Sequence, residues 1–159
     1  MAPEVLEQAG RWVKLDGTLI SRNQLAVIAA RSAEPLPGPP AGHSQAEASD
    51  PGPGASLGRF SLTGEIVDSK CYPGVMKPGQ GKTHRACAIR CLSGGVPAVF
   101  RVANRNGQPL YFLLADEQGR GVNDRVLDRV ADPLRISGEV VRFDNLLMLK
   151  ADPATYRPA

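Results

Sequence analysis

The chain has 159 residues, of which 42% are hydrophobic and 5% aromatic, and its formal net charge is +3. That length and composition fit one soluble domain with a core of its own, or one domain and a fragment of another. The charge is too small and dispersed to imply a nucleic-acid surface, the aromatics are too few for a base-stacking platform, and no apolar run is long enough to span a membrane as a helix.

The first residues, Met1-Ala2-Pro3-Glu4-Val5-Leu6-Glu7, lack both a basic region and an apolar stretch, so no secretory signal is read there. Residues 13–30 predict a β-hairpin. Val13-Lys14-Leu15-Asp16-Gly17-Thr18-Leu19-Ile20 aligns without gaps on Leu134-Arg135-Ile136-Ser137-Gly138-Glu139-Val140-Val141, and Asn23-Gln24-Leu25 continues the match on Asp144-Asn145-Leu146. Residues 1–34 are therefore expected to be a remnant of a preceding repeat of the barrel described below, with docking of the hairpin on that barrel as the alternative. Any glycine-kinked hairpin would give a similar pattern. An isolated hairpin is marginal in water, so Trp12, Leu15, Leu19 and Val27 are expected to need a partner surface.

Residues 35–57 read as a linker. Pro35, Pro37, Pro39, Pro40, Pro51 and Pro53 alternate with Gly38, Gly42, Gly52 and Gly54, and apolar residues are nearly absent. His43 falls here and reads as a solvated linker histidine.

Residues 58–151 carry a compact pattern. Phe60, Leu62, Gly64, Ile66 and Val67 predict a strand ending near Asp68. A loop with Cys71 follows, then a short helix over 83–92 stopped by Gly94-Gly95. Val99-Phe100-Arg101-Val102 is a second strand, Asn104-Arg105-Asn106-Gly107 a turn, and 110–114 a third strand. Val122, Val126, Leu127 and Val130 have helical spacing, with Asn123 as its cap. Leu134, Ile136, Val140 and Val141 give a fourth strand and 146–149 a fifth. A helix between strands three and four of five is the order of an OB-like barrel, so the fold class is mainly β. Gly64 and Gly138 suit the bends or bulges of a small closed barrel. Residues 152–159 are left as a tail.

All three cysteines and one of the two histidines fall within 21 positions. His84, Cys87 and Cys91 stand at i, i+3 and i+7, which places them on one helix face, and Cys71 lies just upstream. An odd number of thiols suits a shared metal or a reactive thiol better than a disulfide framework. Three thiols and an imidazole suffice for a tetrahedral soft-metal site. Such a site needs depressed thiol pKa values, for which Lys70, Lys77, Lys82, Arg85, Arg90 and the helix N-terminus are the expected sources. Met76 would extend the set toward copper, although a loop methionine folded onto the barrel explains it more simply. A Cys87–Cys91 disulfide with Cys71 free, and burial of the cysteines as small hydrophobes, are the competing readings.

Gly79-Gln80-Gly81-Lys82-Thr83 ends like a phosphate-binding loop, but the required earlier glycine is Met76 and no parallel βαβ context surrounds it. No Ser-His-Asp arrangement is visible.

The run Gly64-Glu65-Ile66-Val67-Asp68-Ser69-Lys70-Cys71, followed by His84-x2-Cys87-x3-Cys91-x2-Gly94-Gly95, resembles a family of uncharacterised bacterial proteins. These are small secreted or membrane-attached OB-like domains with an Asp-Ser-x-Cys strand end and a Cys-x3-Cys helix. The resemblance covers about residues 57–151. It implies an extracytoplasmic or membrane-attached setting, with a membrane protein or a further N-terminal domain as partner. Since this chain shows neither signal nor membrane segment, it is expected to be a fragment or a late start. The resemblance implies no activity or substrate.

The sequence thus predicts a non-enzymatic OB-like module that holds a metal, zinc ahead of copper, through Cys71, His84, Cys87 and Cys91. A thiol–disulfide or metal-transfer protein would use the same residues. An oligonucleotide-binding module would need exposed aromatics, whereas Phe100, Tyr111 and Phe112 read as core.

Overall fold

The computed structural model describes residues 8, 11–42, 54–104 and 106–159. His43 and linker residues 44–53 lie outside the described residues. The elements, in order, are β1 (Val13–Arg22), β2 (Leu25–Pro35), β3 (Ala55–Asp68), α1 (Arg85–Ser93), β4 (Ala98–Ala103), β5 (Pro109–Ala115), β6 (Leu134–Phe143), β7 (Leu146–Lys150) and β8 (Arg157–Pro158).

β3 to β7 form a closed five-stranded barrel. β4 pairs antiparallel with β3 and with β5, β5 runs parallel to β7, β7 pairs antiparallel with β6, and β6 returns to β3. β3 closes the ring by serving two neighbours: residues 55–64 pair with β6 and residues 65–68 with β4. Gly64 is the last residue before the change of partner. A Cβ there would stand 2.2 Å from the Arg101 carbonyl oxygen, and one at Gly138 would stand 2.4 Å from that of Lys150. Both glycines permit close backbone approach. The irregularity in β3 lies elsewhere, between Ser56 and Gly58.

The barrel interior is apolar. Ile66, Phe100, Val126, Val130, Ile136 and Leu149 are each fully buried, and Ala88 and Leu92 of α1 join the same cluster. α1 therefore caps the barrel with its Ala88/Leu92 face and leaves another face for the cysteines.

The helix expected near residues 123–130 is not α-helical. Two 3-10 turns, Asn123–Arg125 and Leu127–Arg129, occupy it. The spacing of Val122, Val126 and Val130 reports burial, since all three are at most 1% exposed. β-branched valines gain little from an α-helix. Asn123 is no cap either, because its side chain is spent on tertiary bonds. Its Nδ2 donates to the carbonyls of Leu92 (2.9 Å) and Val96 (2.8 Å), and its Oδ1 accepts from Ala98 N (3.3 Å).

The last residues belong to the fold. Asp152 caps the turn Pro153–Thr155, Tyr156 is 1% exposed within the core cluster, and β8 pairs with β6.

β1 and β2 form the expected hairpin, extended to Pro35. It shares two backbone details with the β6–β7 hairpin. Asn23 and Asp144 open the two turns at φ 55° and 53°, a conformation that Asn and Asp tolerate best. Gly17, like Gly138, faces a carbonyl oxygen of the opposing strand: a Cβ there would stand 2.7 Å from that of Ala29. The hairpin docks on the barrel through its turn. Arg22 Nη1 donates to the carbonyls of Tyr72 (3.0 Å) and Pro78 (2.7 Å), its guanidinium lies 4.6 Å from the Tyr72 ring centre, and Asn23 Nδ2 donates to the Tyr111 hydroxyl (3.0 Å). Leu25 packs on Val67, Tyr72 and Val99. Coverage is one-sided: Ile20 and its cross-strand partner Val27 are half-buried, whereas Leu19 and its partner Ile28 stay 69% and 53% exposed, and Leu15 41%. Successive strand residues point to opposite faces, so docking through one face leaves Leu19 and Ile28 bare on the other.

No helix among the described residues is long and apolar enough to cross a membrane.

Candidate metal centre

Cys71 enters from the loop after β3, whose shape is set by one carboxylate. Asp68 is fully buried at the strand end. Its Oδ1 accepts the backbone N–H groups of Lys70 (3.0 Å), Cys71 and Tyr72 (3.4 Å). This turn-forming use of an aspartate fixes the backbone of Cys71 directly. The loop continues through Gly74 N to Lys70 O and Met76 N to Cys71 O, both 3.1 Å. Tyr72, 1% exposed, anchors it from the next position, with its hydroxyl 2.8 Å from that of Tyr111 and accepting from Arg101 Nε at 3.2 Å.

Cys87 and Cys91 come from α1, preceded by a 3-10 turn at Lys82–His84. The glycine pair ends the helix as expected. Gly95 is left-handed at φ 85°, Gly95 N donates to Leu92 O (2.9 Å), and Val96 N donates to Cys91 O (3.1 Å). This Schellman arrangement holds the last turn, where Cys91 sits, without a longer helix.

The three sulfurs converge. Cys71 Sγ and Cys91 Sγ are 3.3 Å apart, and all three lie within 4.8 Å of one another. Sulfurs around one zinc, with bonds of about 2.3 Å in tetrahedral geometry, would be separated by about 3.8 Å. The cluster needs only small side-chain adjustments to reach that spacing. All three thiols are free and half-buried.

His84 is not part of this sulfur group. It is 3% exposed, and its Nε2 lies 2.8 Å from Asp68 Oδ2. Its Nδ1 is buried with no hydrogen-bond partner among the described residues. Met76 is half-buried in the Cys71 loop.

The electrostatics differ from expectation. Burial, the Cys71 thiol and the Asp68 charge push the Cys91 thiol strongly up, and burial followed by Cys71 raises Cys87. The basic residues expected to lower these values do not: Arg85, for one, turns away to Asp132 (2.9 Å) and the Asp128 carbonyl. Desolvation beside a buried carboxylate favours the neutral thiol.

No family model, curated protein or solved structure matches this chain. The geometry therefore carries the functional argument by itself.

Asp68 joins the two halves of the site, its Oδ1 shaping the Cys71 loop and its Oδ2 meeting His84. It was visible as the first residue of Asp-Ser-x-Cys, an Asx-turn signal, but its second oxygen meets His84 from 16 positions away.

Proposed function

We propose that this barrel is a metal-binding module whose ligands are the thiolates of Cys71, Cys87 and Cys91. Support comes from one observation above all: three sulfurs from two separate elements lie within 4.8 Å of one another in a partly dry setting. Soft thiolates select Zn(II), Cu(I) or related ions, and binding exchanges the thiol protons for the metal. Zinc is favoured over copper on donor type: the buried imidazole of His84 stands at the start of the helix that carries two of the thiols, and sulfur with imidazole nitrogen is a common zinc donor set. α1 and the Cys71 loop are anchored separately to the barrel, so the metal would clamp the loop onto the helix without assembling the fold. The protein, purified under reducing conditions and desalted, should carry close to one zinc per chain after exposure to zinc. Cys87→Ser and Cys91→Ser should each abolish that stoichiometry. Equal metal content in wild type and both variants would overturn the reading.

The 3.3 Å separation of Cys71 and Cys91 supports a second reading, a thiol–disulfide pair. Closing it to the bond length of about 2.05 Å requires roughly 1.3 Å of movement. Cys87–Cys91 is the poorer pair, because Cβ atoms at i and i+4 of a helix are about 5–6 Å apart, beyond the disulfide range of about 3.5–4.5 Å. Oxidation would form the Cys71–Cys91 bond while the S–S bond of a small-molecule disulfide breaks, its two sulfurs taking the two electrons and two protons and leaving as thiols. Thiol counting and peptide mapping after treatment with oxidised glutathione distinguish this from metal retention.

A further inference from the structure

We infer that Asp68 is the positioning residue of the metal centre, and that it presents His84 to the metal through Nδ1 as the fourth ligand. This rests on the three-thiolate reading above.

Asp68 divides its two oxygens between two parts of the site. Oδ1 gathers the N–H groups that shape the loop bearing Cys71, and Oδ2 meets His84 Nε2 at 2.8 Å. An ionised carboxylate can only accept, so Nε2 carries the hydrogen in this contact, and in the neutral form of the ring, the form that binds a metal, the lone pair is on Nδ1. That nitrogen is the one left buried and unpartnered among the described residues. An orphaned acceptor within a ring that is 3% exposed costs free energy unless something occupies it. His84 adopts right-handed helical angles, φ −97° and ψ −9°, immediately before α1. The backbone thus runs on into α1, where Cys87 and Cys91 follow at i+3 and i+7; neither ring nitrogen of His84 lies within 4.8 Å of all three sulfurs, so ligation requires the ring and the thiols to close on the ion. Asp68 touches both the backbone N–H of Cys71 and the His84 ring, so it ties the histidine to the loop that carries the first thiol.

A metal-bound histidine normally donates its other ring N–H to a carboxylate, which fixes the tautomer and ring orientation. Asp68 already makes that contact before any metal arrives. Three thiolates and one neutral imidazole would then surround a divalent ion in a closed tetrahedral set, the arrangement of structural zinc sites.

Two measurements on the full chain test this. In the first, histidine-15N-labelled protein is titrated with Zn(II), with His43→Gln assigning the two histidines. The expected result is a neutral Nε2–H tautomer for His84 at the start and a metal-dependent shift of Nδ1 at one equivalent. A shift at Nε2, or no shift at His84 while zinc binds, overturns the proposal.

In the second, Co(II) serves as a spectroscopic probe of the wild type, His84→Gln and Asp68→Asn. Asparagine preserves the Oδ1 acceptor of the loop but places an NH2 group against Nε2, forcing the hydrogen onto Nδ1. Asp68→Asn should therefore keep the thiolate-to-cobalt bands, change the d–d bands in the same direction as His84→Gln, and weaken binding about 10- to 100-fold. A purely structural role for Asp68 would leave the d–d bands of the folded variant unchanged, and that outcome overturns the proposal. Should Asp68→Asn fail to fold, the nitrogen titration of the wild type decides alone. Metal that is lost in Cys87→Ser but indifferent to His84 and Asp68 rejects this inference and leaves the three-thiolate reading standing. No metal binding by the wild type rejects both.

Discussion

Zinc should raise the melting temperature of the reduced protein, and Cys87→Ser should remove most of that increase. The three sulfurs are brought within 4.8 Å only because the β3–α1 loop and α1 are both docked on the barrel, with Cys71 and Cys91 separated by 20 residues of chain. The unfolded chain does not hold them together, so the metal binds the native state preferentially. At free zinc of about 100 times the dissociation constant, the stabilisation is about 2.7 kcal/mol, and each further tenfold adds about 1.4 kcal/mol. For a barrel of roughly 100 residues, 1 kcal/mol corresponds to about 4–8 °C. The expected rise is thus about 10–20 °C at the first concentration and about 6–11 °C per decade beyond it. Circular dichroism melts at buffered free-zinc levels, with and without chelator, read this directly. Cys87→Ser retains Cys71 and Cys91 as a two-thiolate remnant of much lower affinity, so its melting temperature should stay nearly flat over the same range. A wild-type melt that ignores zinc, or a Cys87→Ser melt that rises in parallel with it, would refute the argument.

Three further outcomes follow from the packing. Leu92→Ala, at a core position 1% exposed on the helix that carries two thiols, should cost about 2–5 kcal/mol in urea unfolding; a loss below about 1 kcal/mol would mean α1 is not anchored by the core. Gly64→Ala would set a Cβ 2.2 Å from the Arg101 carbonyl oxygen where β3 changes partner, so the strand must shift and stability should fall by about 1–3 kcal/mol, while unchanged stability would contradict the closure described. Burial pushes the Tyr156 phenol from 10.0 up to about 12, and its hydroxyl has no hydrogen-bond partner among the described residues. The folded value is the higher one, so this tyrosine's contribution is complete below pH 10 and is lost as pH rises toward 12. Tyr156→Phe should therefore match or slightly exceed wild-type stability at neutral pH and show a shallower alkaline decline, a difference on the order of 2 kcal/mol near pH 12; identical alkaline slopes for the two proteins would count against the burial of that hydroxyl.

Much of the molecule was legible from local pattern. The five barrel strands, the hairpin, the glycine stop after α1 and the convergence of Cys87 with Cys91 depend on neighbours a few residues apart, where backbone geometry leaves little freedom. The valines at 122, 126 and 130 show where this logic stops. A spacing of four residues marks burial correctly, but two 3-10 turns can present the same side chains as an α-helix, and the barrel's demand on Asn123 for three hydrogen bonds decided between them. The site divides the same way. The sequence determined which residues carry sulfur and that Cys87 and Cys91 stand one turn apart on a helix. Only the tertiary structure decided that Cys71 meets Cys91, that His84 meets Asp68, and that the two helix thiols, Cys87 and Cys91, are raised by desolvation. Those three outcomes turn on distances between groups 16 to 20 residues apart and on how much water remains around them, quantities that exist only once the barrel has closed.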